Sequence, residues 1–305
     1  MSRVLISADF YPHLLSNLFK HAGWEVSFLS PIDLAQANVG PGYDLWLHGQ
    51  QNLAISNALA HPLQAYQRHT ATMIKVLAAA MKSACPNLIF ISAASVYGEH
   101  HLAQENSPLH PLEPNAAGLK MAEEIMAAMP LNTIILRPGE IVGAREIRHP
   151  SCNFVQRLSA TMLGHPAKFY LAGTDYPTPD GAMIRDLIHV DDFMAAILAA
   201  SNFLRNQPRP SPEQALHKTF NIGRGIGVSV REMMAAMESA AQQTIPYVCG
   251  PREPAQAAEL VLANRAAQEI LGWHPRPTSL TALAHAALAA QNWINEQTQT
   301  DWLAD

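Results

Sequence analysis

Residues 8–14, ADFYPHL, form the turn between the first predicted strand and the first predicted helix. A strand-forming run precedes the turn, and a helix-forming segment, a stop at Gly23 and a second strand-forming run follow it. Dinucleotide-binding units open in this order, with glycines in the turn that let the backbone approach a pyrophosphate. Here the turn has no glycine, and Pro12 removes a backbone donor. We therefore expect a closed pyrophosphate site, and the titratable pair Tyr11 and His13 leaves a different chemistry open.

The histidines and cysteines lack the spacing of a metal site. His48, His100 and His101 have no partner four residues away beside a carboxylate, as a zinc site on a helix would require. The three cysteines are scattered and odd in number, which fits neither a zinc site nor a disulfide framework. The sequence predicts no metal centre.

Composition excludes several classes of partner. The chain has 305 residues, of which 49% are hydrophobic and 15% charged, and its net charge is −5. It has no basic cluster interleaved with aromatic residues, so nucleic acid is not an expected partner. No apolar run approaches the roughly 18 residues of a membrane span, and the N-terminus lacks the apolar stretch of a secretory signal. We expect a cytoplasmic protein that does not bind membranes.

Apolar or β-branched runs recur along the chain, mostly separated by segments of helical period. These runs are RVLIS, EVSFLS, DLWLHG, NLIFIS, NTIILRP and TFNIG. The alternation is typical of an α/β fold with a doubly wound parallel sheet. After Pro138 the connections lengthen, which indicates a smaller C-terminal substrate lobe. The predicted division places residues 1–147, plus about 188–224, in a Rossmann-like domain and residues 148–187 with 225–305 in the lobe.

Several longer motifs resemble those of one protein family. They are FISAASVYG at 90–98, LRPGEIVGA at 136–144, GTDYPTPDGAMIRDLIHVDD at 173–192, FNIGRGIGVSV at 220–230 and LANRAAQEILGWHP at 262–275. Together they resemble the extended short-chain dehydrogenase/reductases of the NAD-dependent epimerase/dehydratase family. The third motif is most similar to that of the UDP-glucose 4-epimerases. The resemblance implies a Rossmann-like fold and a nucleotide-sugar substrate.

Members of this family move a proton with a Ser or Thr and a Tyr-x-x-x-Lys pair, while the nicotinamide of NAD takes a hydride. By resemblance, Lys120 corresponds to the lysine, Ala116 to the tyrosine and Ala93 to the Ser or Thr. On a helix, the positions three and four residues before the lysine share its face, and here both are alanines. In this interpretation Lys120 is a remnant of the catalytic set.

The cofactor anchors depart from the family pattern as well. The glycine fingerprint falls on residues 8–14, and Ser30 stands where an acidic residue would bind the ribose hydroxyls. We therefore expect no cofactor. The alternative is an enzyme in which NAD binds through a rearranged loop.

The nucleotide-sugar side of the resemblance is better preserved. It implies that Tyr97 forms part of the substrate-pocket wall and that Asn153, Arg185 and Arg252 contact the diphosphate of UDP. A guanidinium group suits this task because it bonds phosphate oxygens in a fork. The alternative for Arg185 is a structural ion pair with Asp186 or Asp191.

These observations leave open whether the protein is an enzyme. The leading hypothesis is a degenerate family member, a pseudoenzyme related to UDP-glucose 4-epimerase that keeps the frame and a UDP-sugar pocket. A second is an active nucleotide-sugar epimerase or reductase with a rearranged cofactor loop. A third is a structural or regulatory partner without catalysis. The Ala-rich helices around residues 64–84 and 116–129 predict a homodimer.

Overall fold

The computed structural model describes residues 1–31, 33, 39–50, 52–145, 153–164, 166–211 and 213–301. The β-strands are β1 (Arg3–Ala8), β2 (Glu25–Phe28), β3 (Leu45–Gly49), β4 (Asn87–Ile91), β5 (His100–Ala103), β6 (Asn132–Pro138), β7 (Glu140–Val142), β8 (Phe169–Ala172), β9 (Ile184–His189), β10 (His217–Ile222), β11 (Gly227–Ser229), β12 (Tyr247–Gly250) and β13 (Glu259–Leu262). The α-helices are α1 (Pro12–His21), α2 (Ile55–Ala60), α3 (Pro62–Tyr66), α4 (Thr72–Lys82), α5 (Pro114–Ala127), α6 (Phe154–Met162), α7 (Val190–Arg205), α8 (Val230–Ala241), α9 (Arg265–Leu271) and α10 (Leu280–Asp301).

Within the described residues, a six-stranded parallel sheet forms the centre of the fold, in the order β10-β6-β4-β3-β1-β2. Each strand overlaps one of the six predicted runs, so the expected doubly wound sheet is confirmed. Alternate side chains point to opposite faces: in β4, Leu88 and Phe90 join one hydrophobic cluster, whereas Ile89 and Ile91 join another. Because both faces are covered, the strands read as continuous apolar runs.

Helices cover the two faces of this sheet. Leu15 of α1 and Phe193 of α7 pack in the cluster on one face. Val76 of α4 and Leu119 of α5 pack in the cluster on the other face. Of the helices described, none is both long and apolar enough to cross a membrane.

A second sheet lies beyond the carboxyl ends of the central strands. Its order is β11-β9-β13-β5, with β7 paired to β9, and β8 pairs with β12 separately. A further hydrophobic cluster joins α6, α8 and α10 through Leu158, Met233 and Leu283. The strands β5 and β7 enter the second sheet from the segment before residue 147, and the predicted division between domain and lobe stays a prediction.

The strand order creates a crevice between β1 and β3. The chain runs from β1 to β2 on one side and then returns to β3 on the other side of β1. In open α/β sheets, ligands bind outside the carboxyl ends of the strands at such a reversal. The turns that follow β1 and β3 are therefore the first place to look for a site.

Candidate functional site

A cleft of about 540 Å³ opens across the carboxyl ends of the central strands. The turn after β1 contributes Phe10 and Tyr11, the segment after β4 contributes Ala93, β7 contributes Glu140 and β9 contributes Arg185. Cavities of several hundred Å³ that combine apolar walls with a few polar groups are typical of small-molecule sites. The cleft therefore extends from the crevice between β1 and β3 to the second sheet.

The first turn forms an aromatic edge of this cleft. Tyr11 is fully buried, and its backbone φ of 49° lies in the left-handed region. Its ring centroid lies 5.4 Å from that of Phe10 and 6.5 Å from that of Phe193 in α7. A Cβ atom on Gly49, at the end of β3, would lie 2.7 Å from the Phe10 ring, so only a glycine permits this close approach. Phe10 thus covers the crevice between β1 and β3.

The two titratable residues of this turn face different surroundings. Tyr11 is fully buried, whereas His13 is exposed on α1. The neighbouring Asp9 forms an ion pair with Arg68, which lies in the π-helical turn Gln67–Ala71. The structure therefore does not bring Tyr11 and His13 together as a reactive pair.

The three positions of the implied catalytic set are spread over the end of β4 and over α5. Ala93 follows β4 and lines the cleft. Ala116 is fully buried in the first turn of α5, and its N–H donates to Glu113 Oε1 at 2.7 Å. Lys120 Nζ lies 3.8 Å from Glu124 Oε1, and Lys120 is not one of the described residues that line the cleft. At Ala93 and Ala116 the side chains carry no exchangeable proton.

Two serines flank Ala93 on the cleft wall. Ser92 Oγ donates to Glu123 Oε1 at 2.5 Å and is thereby engaged in a buried network. Ser95 Oγ also belongs to a lining residue, and it is buried with no hydrogen-bond partner among the described residues. Of the two, Ser95 has the hydroxyl that is not already committed to a protein acceptor.

Tyr97 lies beneath the cleft in a buried polar network. Its hydroxyl donates to Asn221 Oδ1 at 2.7 Å and accepts from Arg137 Nη1 at 2.7 Å. Burial raises the pKa of Tyr97, although the nearby Arg137 guanidinium partly opposes this effect. The side chain is fully buried and is not among the described lining residues, so the structure places it below the wall that the resemblance implied.

Arg185 lies on the cleft wall and is only 7% exposed. Its Nη1 donates to the carbonyl of Ile184 at 2.8 Å, and its Nη2 donates to Gln256 Oε1 at 3.0 Å and to the carbonyl of Ala257 at 2.9 Å. A guanidinium has five N–H groups, so these bonds leave one on Nη1 and the one on Nε for other partners.

Arg185 does not form the predicted alternative ion pair. The carboxylate of Asp186 accepts backbone N–H groups, and Asp191 pairs with Arg276 at 3.2 Å. The ion partner of Arg185 is instead Glu140, whose Oε1 lies 3.6 Å from Arg185 Nε.

Glu140 begins β7 and lines the same part of the cleft. Its side chain is 27% exposed, yet Oε2 is buried and has no hydrogen-bond partner among the described residues. Burial raises the pKa of Glu140, and the positive charges of Arg185 and Arg157 partly oppose this rise. A carboxylate thus faces the arginine that the resemblance assigns to phosphate.

Two further arginines lie on this side of the molecule. Arg157 of α6 lines the cleft, and its Nη1 donates to Glu253 Oε1 at 3.1 Å. Arg252 is not one of the described lining residues. Its Nε donates to Asp175 Oδ1 at 2.9 Å, and its guanidinium lies 4.6 Å from the centroid of the Tyr176 ring. Arg252 is 44% exposed, so the structure places it at the surface.

Asn153 lines the cleft as the N-cap of α6. Its Oδ1 accepts the N–H groups of Val155 at 2.8 Å and Gln156 at 3.2 Å, and its Nδ2 donates to the carbonyl of Ile141 at 3.1 Å. Asparagine is a preferred N-cap because its side chain satisfies the free N–H groups of the first turn. A contact with a ligand would use the second N–H of its amide group.

Two other carboxyl groups in the cleft are held by backbone N–H groups. Glu113 caps α5 by accepting from Asn115 and Ala116, and burial raises its pKa. Burial also raises the pKa of Asp186 to about 6, against three backbone hydrogen bonds that favour its ionised form. In the part of the chain that the structure describes, no group of three His, Cys, Asp or Glu residues is placed to hold a metal ion.

Sequence reasoning did not identify Glu140 or Arg157 as cleft residues. Glu140 was visible in the LRPGEIVGA motif, two residues after the carboxyl end of β6, where functional side chains of parallel sheets gather. Arg157 carried no local signal, because its partner Glu253 lies 96 residues away.

The fold and the cleft define a protein of the extended short-chain dehydrogenase/reductase class, in which a ligand lies across the carboxyl ends of a doubly wound sheet. Residues 42–223, more than half of the chain, match the NAD dependent epimerase/dehydratase family, and the protein belongs to that family. The resemblance drawn from the sequence motifs is confirmed at this level.

Curated relatives extend the similarity over most of the chain. A UDP-glucose 4-epimerase of Azospirillum brasilense is 29% identical over 265 residues, which cover 83% of this chain and 74% of that protein. UDP-glucose 4-epimerase 3 of Oryza sativa subsp. japonica is 29% identical over 258 residues, which cover 80% of this chain and 68% of that protein. The protein is thus related to the UDP-glucose 4-epimerases.

Solved structures share the fold. A UDP-glucose-4-epimerase from Stenotrophomonas maltophila, with bound NAD and formylated UDP-arabinopyranose, has a TM-score of 0.85 at 23% identity and covers 97% of this chain and 100% of that chain. The enzyme from Bifidobacterium longum, in complex with NAD+ and UDP, has a TM-score of 0.80 at 22% identity, with 95% and 98% covered.

These neighbours contradict the expectation that the protein has no cofactor. Several solved structures that share its fold hold NAD. The glycine-free first turn predicted a closed pyrophosphate site, but the structure has a cleft of about 540 Å³ that Phe10 and Tyr11 of this turn line. The absence of glycine from residues 8–14 is therefore no ground for excluding NAD.

Proposed function

We propose that this protein binds NAD and a UDP-sugar side by side in the cleft and does not carry out 4-epimerisation by the family's tyrosine-dependent route. The proposal rests on two features found together. A buried arginine, Arg185, lies on the cleft wall, and alanines occupy positions 93 and 116. The site keeps a group that binds phosphate and lacks the hydroxyl groups that move the proton.

The nucleotide-sugar half rests on Arg185 and Asn153. Both line the cleft, and each retains an N–H group that its hydrogen bonds to described protein residues do not use. Arginine bonds to phosphate are charge-assisted and strong. The relatives named UDP-glucose 4-epimerase, and the neighbours that hold a UDP-sugar or UDP, support this class of ligand.

The NAD half rests on the position of the cleft at the crevice between β1 and β3. Here the first turn offers the aromatic edges of Phe10 and Tyr11 instead of glycine backbone. We propose that NAD lies against these rings, which shape the crevice and exclude water from it. When bound, NAD supplies a hydride acceptor for a sugar hydroxyl carbon.

The proton step is the part that this chain lacks at its usual place. Oxidising a sugar hydroxyl needs a base that takes its proton while the hydride leaves, and the phenolate of a tyrosine at position 116 would serve. Ala116 and Ala93 provide no such group, and Lys120 pairs with Glu124 at 3.8 Å. We therefore expect the protein to bind NAD and a UDP-sugar without the usual 4-epimerisation.

Titration calorimetry and a coupled assay test this proposal. We expect the purified protein to bind NAD and UDP-glucose but not to convert UDP-glucose to UDP-galactose. Arg185→Ala should weaken UDP-glucose binding by about 1.5–3 kcal/mol, roughly tenfold to a hundredfold. The exposed, Asp175-paired Arg252 should matter less when changed to alanine. Failure of UDP-glucose to bind, or efficient 4-epimerisation by the unaltered protein, would contradict the proposal.

Restoring the missing hydroxyls gives a second test. The variant Ala93→Ser with Ala116→Tyr should gain 4-epimerase activity in the presence of NAD, because it restores the hydroxyl groups at the two positions and places the tyrosine on the helix face that Lys120 shares. The matched control combines Ala93→Ser with Ala117→Tyr, which adds a tyrosine one position later on α5 and should stay inactive. Thermal unfolding checks that both variants fold.

Ser95 favours a second candidate function. Its buried Oγ has no hydrogen-bond partner among the described residues and belongs to the cleft wall two residues after Ala93. In an active epimerase or reductase with a rearranged cofactor loop, this hydroxyl would take part in the proton transfer. Turnover in the unaltered protein that Ser95→Ala abolishes, with NAD binding intact, would select this candidate.

A further inference from the structure

The pairing of Glu140 with Arg185 sets a condition on any phosphorylated ligand. Glu140 Oε1 lies 3.6 Å from Arg185 Nε, while Glu140 Oε2 is buried without a hydrogen-bond partner among the described residues. Both residues line the cleft. The carboxylate therefore occupies one side of the guanidinium to which a phosphate would bind.

The charges around Glu140 come from several elements. Arg185 lies on β9, and Arg157 lies on α6, where it is bonded to Glu253. Asp186 also lines the cleft, but three backbone N–H groups bond its carboxylate. Tyr176 lies near Arg185 with a hydroxyl that has no partner among the described residues.

An ionised Glu140 and a bound phosphate would be like charges against the same arginine. Two like charges in a partly buried site repel each other, and a carboxyl group in such a site commonly takes up a proton, which removes the repulsion. A protonated carboxyl group also gains a donor, so its hydroxyl can bond a phosphate oxygen. Glu140 Oε2 is the oxygen available for this bond, because it has no hydrogen-bond partner among the described residues.

We propose that Glu140 takes up one proton when the diphosphate of a nucleotide sugar binds in the cleft, and that its neutral carboxyl group then donates to a phosphate oxygen. This inference rests on the proposed function. It makes nucleotide-sugar affinity depend on pH and assigns the dependence to one side chain. Burial raises the pKa of Glu140 in the free protein, which is the same direction as the effect proposed for the ligand.

Titration calorimetry with UDP-glucose tests the inference, because this diphosphate diester does not itself titrate between about pH 6 and 8. The heat of binding is measured in two buffers of different ionisation enthalpy, which gives the number of protons taken up. Between the pKa of Glu140 in the free protein and its higher pKa in the complex, we expect uptake approaching one proton and an affinity that weakens up to tenfold per pH unit.

Two variants assign the proton. Glu140→Gln has a neutral side chain of the same shape with an N–H donor, so it should bind UDP-glucose without proton uptake and with nearly constant affinity across this pH range. Glu253→Gln removes a carboxylate elsewhere in the cleft and should keep the uptake seen in the unaltered protein.

The outcomes separate the inference from the proposed function. UDP-glucose binding with no proton uptake, or an uptake that persists in Glu140→Gln, would overturn the inference and leave the proposed function standing. Equal loss of uptake in Glu253→Gln would overturn the assignment to Glu140. No UDP-glucose binding at any pH would overturn the proposed function and the inference with it.

Discussion

Arg137 donates to both carboxylate oxygens of Glu123, through Nε at 3.1 Å and through Nη2 at 2.5 Å. The two side chains are 6% and 4% exposed, so this ion pair is closed to water. It joins β6 to α5 directly beneath the cleft, and Ser92 and Tyr97 are bonded to it. The side chains of this buried network are therefore polar, and they are hydrogen-bonded to one another.

Breaking this pair should be costly for stability. Glu123→Ala would leave the guanidinium of Arg137 buried without its counter-charge, and we expect the free energy of unfolding to fall by about 3–5 kcal/mol. Urea denaturation measures the change. The control is Glu124→Ala, whose carboxylate is 64% exposed and pairs with Lys120 at 3.8 Å; its effect should stay below about 1 kcal/mol. Similar effects in both variants would contradict this account.

Two buried histidines should make the protein sensitive to acid. Burial lowers the pKa of His48 to about 4 and that of His69 to about 3. The unfolded chain binds these protons near pH 6.5 and the folded chain does not, so stability is present above about pH 6.5 and is lost as the pH falls toward 4. His48 alone accounts for a loss on the order of 3 kcal/mol.

A variant isolates the share of His48. Asp186 acts with the opposite sign, because its pKa is raised to about 6 and its contribution falls as the pH rises toward that value. Comparing His48→Asn with the unaltered protein cancels the Asp186 contribution. The variant should show a shallower loss of stability between about pH 7 and 4.5 by urea denaturation. An equally steep loss would show that His48 does not control it.

The predicted homodimer can be tested on exposed apolar side chains of α4 and α5. Ile74, Met81 and Met121 are 53%, 48% and 45% exposed. If these helices pair two copies of the chain, Ile74→Glu with Met121→Glu should give a monomer by light scattering, because charged groups would be buried in the interface. Ile226→Glu, at another side chain that is 54% exposed, is the control and should leave the assembly unchanged. A monomeric unaltered protein at high concentration would refute the prediction.

Tyr11 in the turn after β1 tests whether backbone strain or burial of the side chain has the larger effect on stability. A glycine at position 11 would relieve the left-handed backbone by about 1 kcal/mol but would remove a fully buried ring, which contributes roughly 3–5 kcal/mol. We expect Tyr11→Gly to be destabilising by about 2–4 kcal/mol in urea denaturation. Gln242 has a similar φ of 52° at the end of α8 but is exposed, so Gln242→Gly should be stabilising by up to about 1 kcal/mol. A stabilising Tyr11→Gly would show that the ring contributes little.

The central sheet could be predicted from the sequence because its strands are buried on both faces. Runs such as NLIFIS and NTIILRP have no polar alternation, and both became central strands, β4 and β6. The second sheet was harder to foresee. Its strands β7 and β11 are three residues long, and β13 pairs with β5 far away in sequence, so local pattern carried little information.

The cleft could be predicted in part. Motif resemblance found Arg185 and Asn153, which lie on its wall, because both belong to segments that keep the family pattern. It did not locate Arg252 at the surface or Tyr97 beneath the floor, since side-chain direction depends on tertiary contacts. The pairing of Glu140 with Arg185 joins residues on different strands and has no signature in either segment.

The packing of Tyr11 on Phe193 has a consequence for how the cleft adapts to a ligand. A glycine-rich loop moves independently of the structure behind it, but here the cleft edge is continuous with the hydrophobic cluster around α7. Close-packed protein interiors transmit displacement instead of absorbing it. We therefore expect a substitution in α7 that enlarges or removes the Phe193 ring to move Tyr11, and with it the edge of the cleft, although position 193 is not one of the described lining residues.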